Sequence, residues 1–357
     1  MMRLPALFML CLPLALLAGE GGPWVLGTRA AVGFMAPHHK SLWVMVDRHA
    51  VAGELYLQRA YSGHRTWHGN YLQPRWGLSA LVLDAGSDRL GPAIRLLSYL
   101  ELPLVEPGAW EFTTRVGGGL GLVRDPFDRV DNFKQHAIGG HLNIAIQWGL
   151  NLRRGFGRHA VDLGFSLDHL SNGSMQQPNL GINVPALSLG YAFQLGDKPP
   201  ARLVPDTTWR QQPRTRIQAM ANMGWNEVYP LNSGRRSVYS LSATVYRRAT
   251  AKSAFGAGMD VFNKGTVSLV DTSLVGRSRA SLSQLGVHAS YALLLGDLML
   301  HYSMGGYLVT PVQERAAVYT RVGVMQNVTP RLFLNVALKS HLFVADHIEL
   351  GIGYRFR

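Results

Sequence analysis

The chain has 357 residues, of which 16% are charged and 47% hydrophobic, with 39 glycines and a formal net charge of +13. Beyond the first twenty residues no stretch approaches the roughly 18 uninterrupted apolar residues that read as a transmembrane helix, so a helical membrane protein is excluded. The only cysteine, Cys11, falls in the apolar start of the chain, which leaves the remainder without disulfides, thiolate metal ligands or a thiol nucleophile.

Met1-Met2-Arg3 places one positive charge before the apolar run Leu4 to Leu17, and small residues follow at Ala18 and Gly19. That layout predicts an export signal over residues 1–19, too short to span a bilayer, with the mature chain starting between about 19 and 24. The positive charge suits an anionic membrane surface or a nucleic acid equally well, and the export signal decides for the membrane. No nucleic-acid partner is expected. His38-His39, and His136 with His141, lack the Cys, Asp or Glu spacing of a metal site and read as loop or lumen residues; no metal is expected. Gly117-Gly118-Gly119 sits in an alternating stretch without the strand-to-helix context of a phosphate loop, and reads as lumen-facing glycine.

Over residues 141–152 the apolar residues fall at every second position. Leu142, Ile144, Ile146, Trp148, Leu150 and Leu152 share one face, opposite His141, Asn143, Ala145, Gln147, Gly149 and Asn151. A strand of that length exceeds what most soluble sheets use and matches the nine to eleven residues of a tilted membrane crossing. The pattern returns in 297–304, 331–341 and 347–356, the last with Ile348, Leu350, Ile352, Tyr354 and Phe356 on one face. Alternating runs separated by Gly, Pro, Asn and Asp predict an all-β, transmembrane antiparallel barrel of about 12 to 16 strands, spanning 24–357 as one unit. Asp197 to Pro213, with four prolines, reads either as a long turn or as a join between a catalytic half and an added one.

The segment that carries chemistry is the predicted hairpin 158–196. Val161, Leu163, Phe165, Leu167, His169 and Ser171 share the apolar face of its first strand. In its second, Asn183, Pro185, Leu187, Leu189, Tyr191, Phe193 and Leu195 do the same. Polar groups facing hydrocarbon cost free energy unless they serve something. An imidazole two residues from a serine on one face lies about 7 Å away at Cα, within reach of its hydroxyl. Such a pair makes the hydroxyl a nucleophile once a third group fixes the imidazole tautomer. His169 is thus the candidate base, Ser171 the candidate nucleophile and Asn183 the candidate orienting group, with Asn172 and Gly173 as candidate oxyanion donors.

The run from Asp168 to Asn183, with His169-Leu170-Ser171-Asn172 and then Pro178-Asn179-Leu180-Gly181, resembles the active-site segment of the lipid A 3-O-deacylases and the acyloxyacyl-hydrolase-like proteins grouped with them. The resemblance implies a bacterial outer-membrane location, lipid A as substrate, His169 as base and Ser171 as nucleophile. It also implies a glutamate at the position where this chain has Asn183. Outer-membrane phospholipase A is similar in its His-x-Ser-Asn strand and in using an asparagine as the third member. Under that alternative the substrate is a phospholipid and calcium enters as a cofactor; otherwise no cofactor is expected. A third alternative, a non-enzymatic channel or scaffold, leaves Ser171 and His169 incidental. With both chain ends on the periplasmic side, an odd-numbered strand runs outward and brings His169 and Ser171 to the external rim.

Overall fold

In the computed structural model, residues 21–61, 67–196, 207–312, 314–342 and 344–356 are described. The expected export signal over 1–19 lies outside them. Among the described residues no helix is long and apolar enough to cross a membrane, and the long elements are strands.

Among the described residues sixteen strands follow one another along the chain. The first eight are β1 (Gly21–Gly33), β2 (Ala50–Tyr61), β3 (Arg75–Asp84), β4 (Pro92–Val105), β5 (Trp110–Val123), β6 (Leu142–Phe156), β7 (His159–Ser171) and β8 (Ile182–Leu195). The second eight are β9 (Thr215–Asn226), β10 (Arg236–Arg248), β11 (Ser253–Lys264), β12 (Gln284–Leu295), β13 (Leu298–Val309), β14 (Val318–Asn327), β15 (Leu332–His341) and β16 (Val344–Arg355). Within β1–β8 and within β9–β16 each strand pairs antiparallel with its chain neighbours, whereas β8 does not pair with β9. The sixteen do not close as one cylinder over 24–357, however, but as two separate closed barrels of eight strands.

Closure is what the alternation leaves unstated. A period of two tells which side chains share a face, and a hairpin loop tells which strands are consecutive; neither says which strand the first one meets. Here β1 pairs with β8, from Trp24 against Leu195 to Gly33 against Ala186, and β9 pairs with β16, from Met223 against Leu350 to Gln218 against Arg355. The first compact unit holds β1–β8; the second holds β9–β16 and also includes Gly173–Gln177.

In the first barrel the outward rows are those read from the alternation, with Leu163 59% and Leu189 68% exposed. Gly118 departs from its expected direction: it lies on the exposed face, while Gly117 points inward, where an added Cβ would sit 3.0 Å from Tyr99 Cβ. Eight strands leave an interior that side chains just fill, and the side chains here are charged. Arg29 Nε donates to Asp162 Oδ1 at 2.8 Å, Arg115 Nη2 to Glu54 Oε1 at 2.6 Å and Arg75 Nη1 to Glu101 Oε1 at 2.9 Å. The second barrel repeats the device with Arg321 bridging Asp260 at 3.1 Å and Glu349 at 2.6 Å. Burying such ions is costly, and the pairs persist because each charge is met by another.

Loops that follow odd-numbered strands of the first barrel, 34–49, 124–141 and 172–181, share one end of it, by the antiparallel order of the strands. The β6–β7 connection at the other end is only Gly157 and Arg158.

Glu54 accepts from both Arg29 and Arg115, so Glu54→Ala leaves two guanidinium groups of the lumen without their shared carboxylate. The expected loss is about 3–5 kcal/mol, read from urea unfolding in detergent micelles. Unchanged unfolding would mean that these ion pairs contribute nothing net.

Candidate active site

Strand β7 brings two polar residues to the end of an apolar row. Alternation sends Asp162, Gly164 and Asp168 into the lumen, and Val161, Leu163, Leu167, His169 and Ser171 outward. Asp168, although adjacent to His169, is therefore not its partner. Arg95 Nη1 donates to it at 2.5 Å and Gln147 Nε2 at 2.8 Å, inside the barrel.

The register of the hairpin sets His169 directly opposite Asn183 and Leu170 opposite Ile182. Directly opposed residues of an antiparallel pair have Cβ atoms only about 4.5–5.5 Å apart, so the two side chains meet without unusual rotamers. His169 Nδ1 lies 2.7 Å from Asn183 Oδ1, and His169 Nε2 lies 2.9 Å from Ser171 Oγ. Hydroxyl, imidazole and amide thus form one hydrogen-bonded row on the outside of the first barrel. On the other flank β6 sets Ile144 against Ser171 and Ile146 against His169, an apolar border. Ser171 itself is 6% exposed and His169 is half-buried.

The loop 172–181 supplies the cover. Gly181 has φ +81°, a left-handed conformation that favours glycine. A Cβ added there would fall 2.8 Å from His169 Cε1 and 3.5 Å from Ser171 Cβ. The backbone at Gly181 therefore lies against the imidazole and limits its movement. The loop is held by Gly181 N–H donating to the Ala137 carbonyl at 2.9 Å and by Asn172 N–H donating to Asn179 Oδ1 at 2.8 Å. This second bond occupies the Asn172 backbone N–H, which together with the Asn172 side-chain amide and Gly173 N–H was expected to offer an oxyanion its donors. Gly173 takes φ +63°.

One residue of the row was missed in the sequence. His38 reads there as a loop histidine, and it does lie in the loop after β1. Its Nδ1 nevertheless sits 3.0 Å from Asn183 Nδ2 and its Nε2 3.0 Å from the Leu180 carbonyl. No local signal separates His38 from His39, whose Nδ1 instead accepts from Ser41 N–H at 3.2 Å and caps a short 3-10 helix. Only the β1–β8 closure brings His38 to Asn183. His141 Nδ1 bonds to the Val123 carbonyl at 3.1 Å.

Comparison with known proteins divides at the same place as the fold. Residues 52–192 match the family model described as lipid A 3-O-deacylase (PagL), and residues 215–357 match that of the acyloxyacyl hydrolase C-terminal domain. No curated protein matches the chain. Among solved structures the chain is similar to the outer membrane enzyme PagL, with 18% identity and a TM-score of 0.33, over 47% of this chain and 99% of that one. It is also similar to a mutant porin of Rh. blastica, with 10% identity and a TM-score of 0.20, over 93% and 99%. The Acinetobacter baumannii outer membrane protein Omp33 follows, with 7% identity and a TM-score of 0.18, over 95% and 99%. Closed barrels with an apolar exterior are the architecture of the bacterial outer membrane. The chain is an outer-membrane protein whose first barrel matches the lipid A 3-O-deacylase family model and whose second matches that of the acyloxyacyl hydrolase C-terminal domain.

Proposed function

We propose that the chain is a serine esterase that removes an ester-linked acyl chain from lipid A, with Ser171 as nucleophile, His169 as base and Asn183 as orienting group. The observation that carries this reading is the unbroken row from the Ser171 hydroxyl through His169 to the Asn183 amide, on the face of the barrel that meets lipid. A substrate whose acyl chains stay in the bilayer needs its catalyst on the outer wall, and its ester group lies near the interface, where β7 ends. The long-loop end of the first barrel is then the external one, and the outer leaflet is the working side.

The chemistry follows from the polarity of the row. His169 Nε2 takes the proton of Ser171 Oγ as that oxygen bonds to the ester carbonyl carbon, and the carbonyl oxygen becomes an oxyanion. Asn172 and Gly173 are the proposed sources of donors for it, the Asn172 N–H only on leaving Asn179. As the intermediate collapses, the bond from carbon to the sugar oxygen breaks, and His169 gives its proton to that oxygen. Water then attacks the acyl-serine, losing a proton to His169, which returns it to Ser171 as the fatty acid leaves. Asn183 accepts from His169 Nδ1–H throughout and keeps the lone pair on Nε2. Being neutral, it stabilises the imidazolium less than a carboxylate does.

A phospholipase A is the second reading, favoured by the amide as third member. Mass spectrometry of lipid A and of phospholipids from cells producing the protein, grown with and without a calcium chelator, separates the two. The expected result is loss of one acyl group from lipid A with wild type, none with Ser171→Ala, and indifference to the chelator. Phospholipid cleavage that the chelator abolishes would replace this reading by the other. In purified protein, Ser171→Ala and His169→Ala are each expected to lower kcat by about a thousandfold or more.

Gly181→Ala tests the cover over the imidazole. Its Cβ forces either the ring or the loop to move, at a backbone position that already disfavours a side chain. The expected outcome is at least a tenfold fall in kcat and a His169–Ser171 separation beyond hydrogen-bond length in a crystal structure. An unchanged rate would show that the loop yields instead.

A further inference from the structure

We infer that His38 is a positioning residue, which fixes the direction of the Asn183 amide and, through it, the tautomer of His169. The inference rests on the reading of Ser171 and His169 given above and adds a fourth member to their row.

An amide as orienting group carries an ambiguity that a carboxylate does not. Either oxygen of a carboxylate accepts the imidazole N–H. An amide has one oxygen and one NH2 of nearly the same size, and only its neighbours decide which of them faces the ring. With the oxygen toward His169, Nδ1 carries the proton and Nε2 offers its lone pair to the Ser171 hydroxyl. With the NH2 toward His169, Nδ1 must accept, the proton moves to Nε2, and the ring has no base to offer Ser171. The difference between a poised serine and an inert one therefore comes down to what holds the far end of Asn183.

His38 holds it, and the Leu180 carbonyl decides the polarity. A backbone carbonyl has no proton, so His38 Nε2–H must donate to it, over 3.0 Å. In the neutral ring Nδ1 is then an acceptor, and Asn183 Nδ2–H donates to it over 3.0 Å. That turns Asn183 Oδ1 to His169 Nδ1–H, 2.7 Å away, and leaves Nε2 to accept from Ser171 O–H at 2.9 Å. Every bond from Ser171 to Leu180 runs in one direction, and the carbonyl at the end is the member that has no alternative.

The backbone positions His38 independently of these side chains. Beyond the end of β1, Phe34 N–H donates to the Pro185 carbonyl at 3.3 Å and Ala36 N–H to the Asn183 carbonyl at 2.8 Å. The segment leading to His38 is thus tied along the strand that carries Asn183, to the very residue it serves. His38 also lies outside residues 52–192, the stretch that the deacylase family model matches.

The test uses the full-length protein in detergent micelles with purified lipopolysaccharide. His38→Leu removes the acceptor, whereas His38→Gln offers an oxygen to Asn183 and an N–H to Leu180. Both are made with Asn183 and with Asn183→Asp, whose carboxylate presents oxygen in either orientation. His38→Leu is expected to lower kcat at least tenfold with KM changed less than twofold, and His38→Gln to stay within threefold of wild type. In the Asn183→Asp background, His38 and His38→Leu should differ by less than twofold. A kcat for His38→Leu within twofold of wild type, or the same loss in both backgrounds, would overturn the inference, since a loop that is merely destabilised is indifferent to the choice of amide or carboxylate. A second readout needs no substrate: imidazole nitrogen NMR of His169 should show protonation at Nδ1 in wild type and a mixture of tautomers in His38→Leu. An unmixed Nδ1 tautomer in His38→Leu would sink the inference by itself. Acyl release that Ser171→Ala leaves unaltered would sink only the esterase reading, and the NMR result still decides the role of His38.

Discussion

A strand edge in hydrocarbon is not tolerated: every backbone N–H and C=O that water does not reach has to find a partner within the sheet. In this chain the requirement is met twice, by the pairing of β1 with β8 and of β9 with β16. The first of these closures does more than seal a barrel. It lays the start of the chain beside the strand that carries Asn183, and its continuation through Phe34 and Ala36 delivers His38 to the amide. The same hydrogen-bond rule that dictates a closed cylinder thereby assembles the row on its outer wall.

Alternation divides the labour within each strand. On β7, Asp168 points inward to Arg95 while its neighbour His169 points outward to Ser171 and Asn183. The lumen becomes a dense set of ion pairs that stiffens the wall, and the outward face of β7 between Val161 and Leu167 is apolar before the row of polar groups begins. Each imidazole nitrogen and each end of the Asn183 amide in that row has a partner, which is what allows such groups on a lipid-facing surface at all. An imidazole held between fixed partners, with the Gly181 backbone against it, has little freedom to leave its position.

In the proposed site, an asparagine in the orienting position changes what the surroundings have to supply. A carboxylate both accepts the imidazole proton and offsets the positive charge that develops on it; an amide does only the first, and only in one of its two orientations. Under the role inferred for His38, the compensation comes from the loop that carries it and ends on a backbone carbonyl that cannot reverse its role. A neutral site of this kind loses some electrostatic stabilisation but also avoids burying a carboxylate at the edge of the hydrocarbon, where charge is costly.

The period of two in 141–152, 160–171 and 183–195 determined which residues face lipid and which face the lumen, because side chains on a strand have no third direction to take. It therefore placed His169, Ser171 and Asn183 on a common outer face, and the sequence spacing of the hairpin was enough to bring them within reach. The number of barrels was beyond it: alternation is the same whether β8 pairs with β9 in one cylinder or turns back to β1, and that closing pair joins residues as far apart as Trp24 and Leu195. His38 was hidden for the same reason. In a single wide barrel β1 would lie beside the last strand, far from Asn183, and nothing local distinguishes His38 from its neighbour His39. Local periodicity thus fixed the faces and the candidate site residues of one hairpin, while long-range strand pairing, which only the folded chain specifies, decided the partition into two barrels and the partner of the amide.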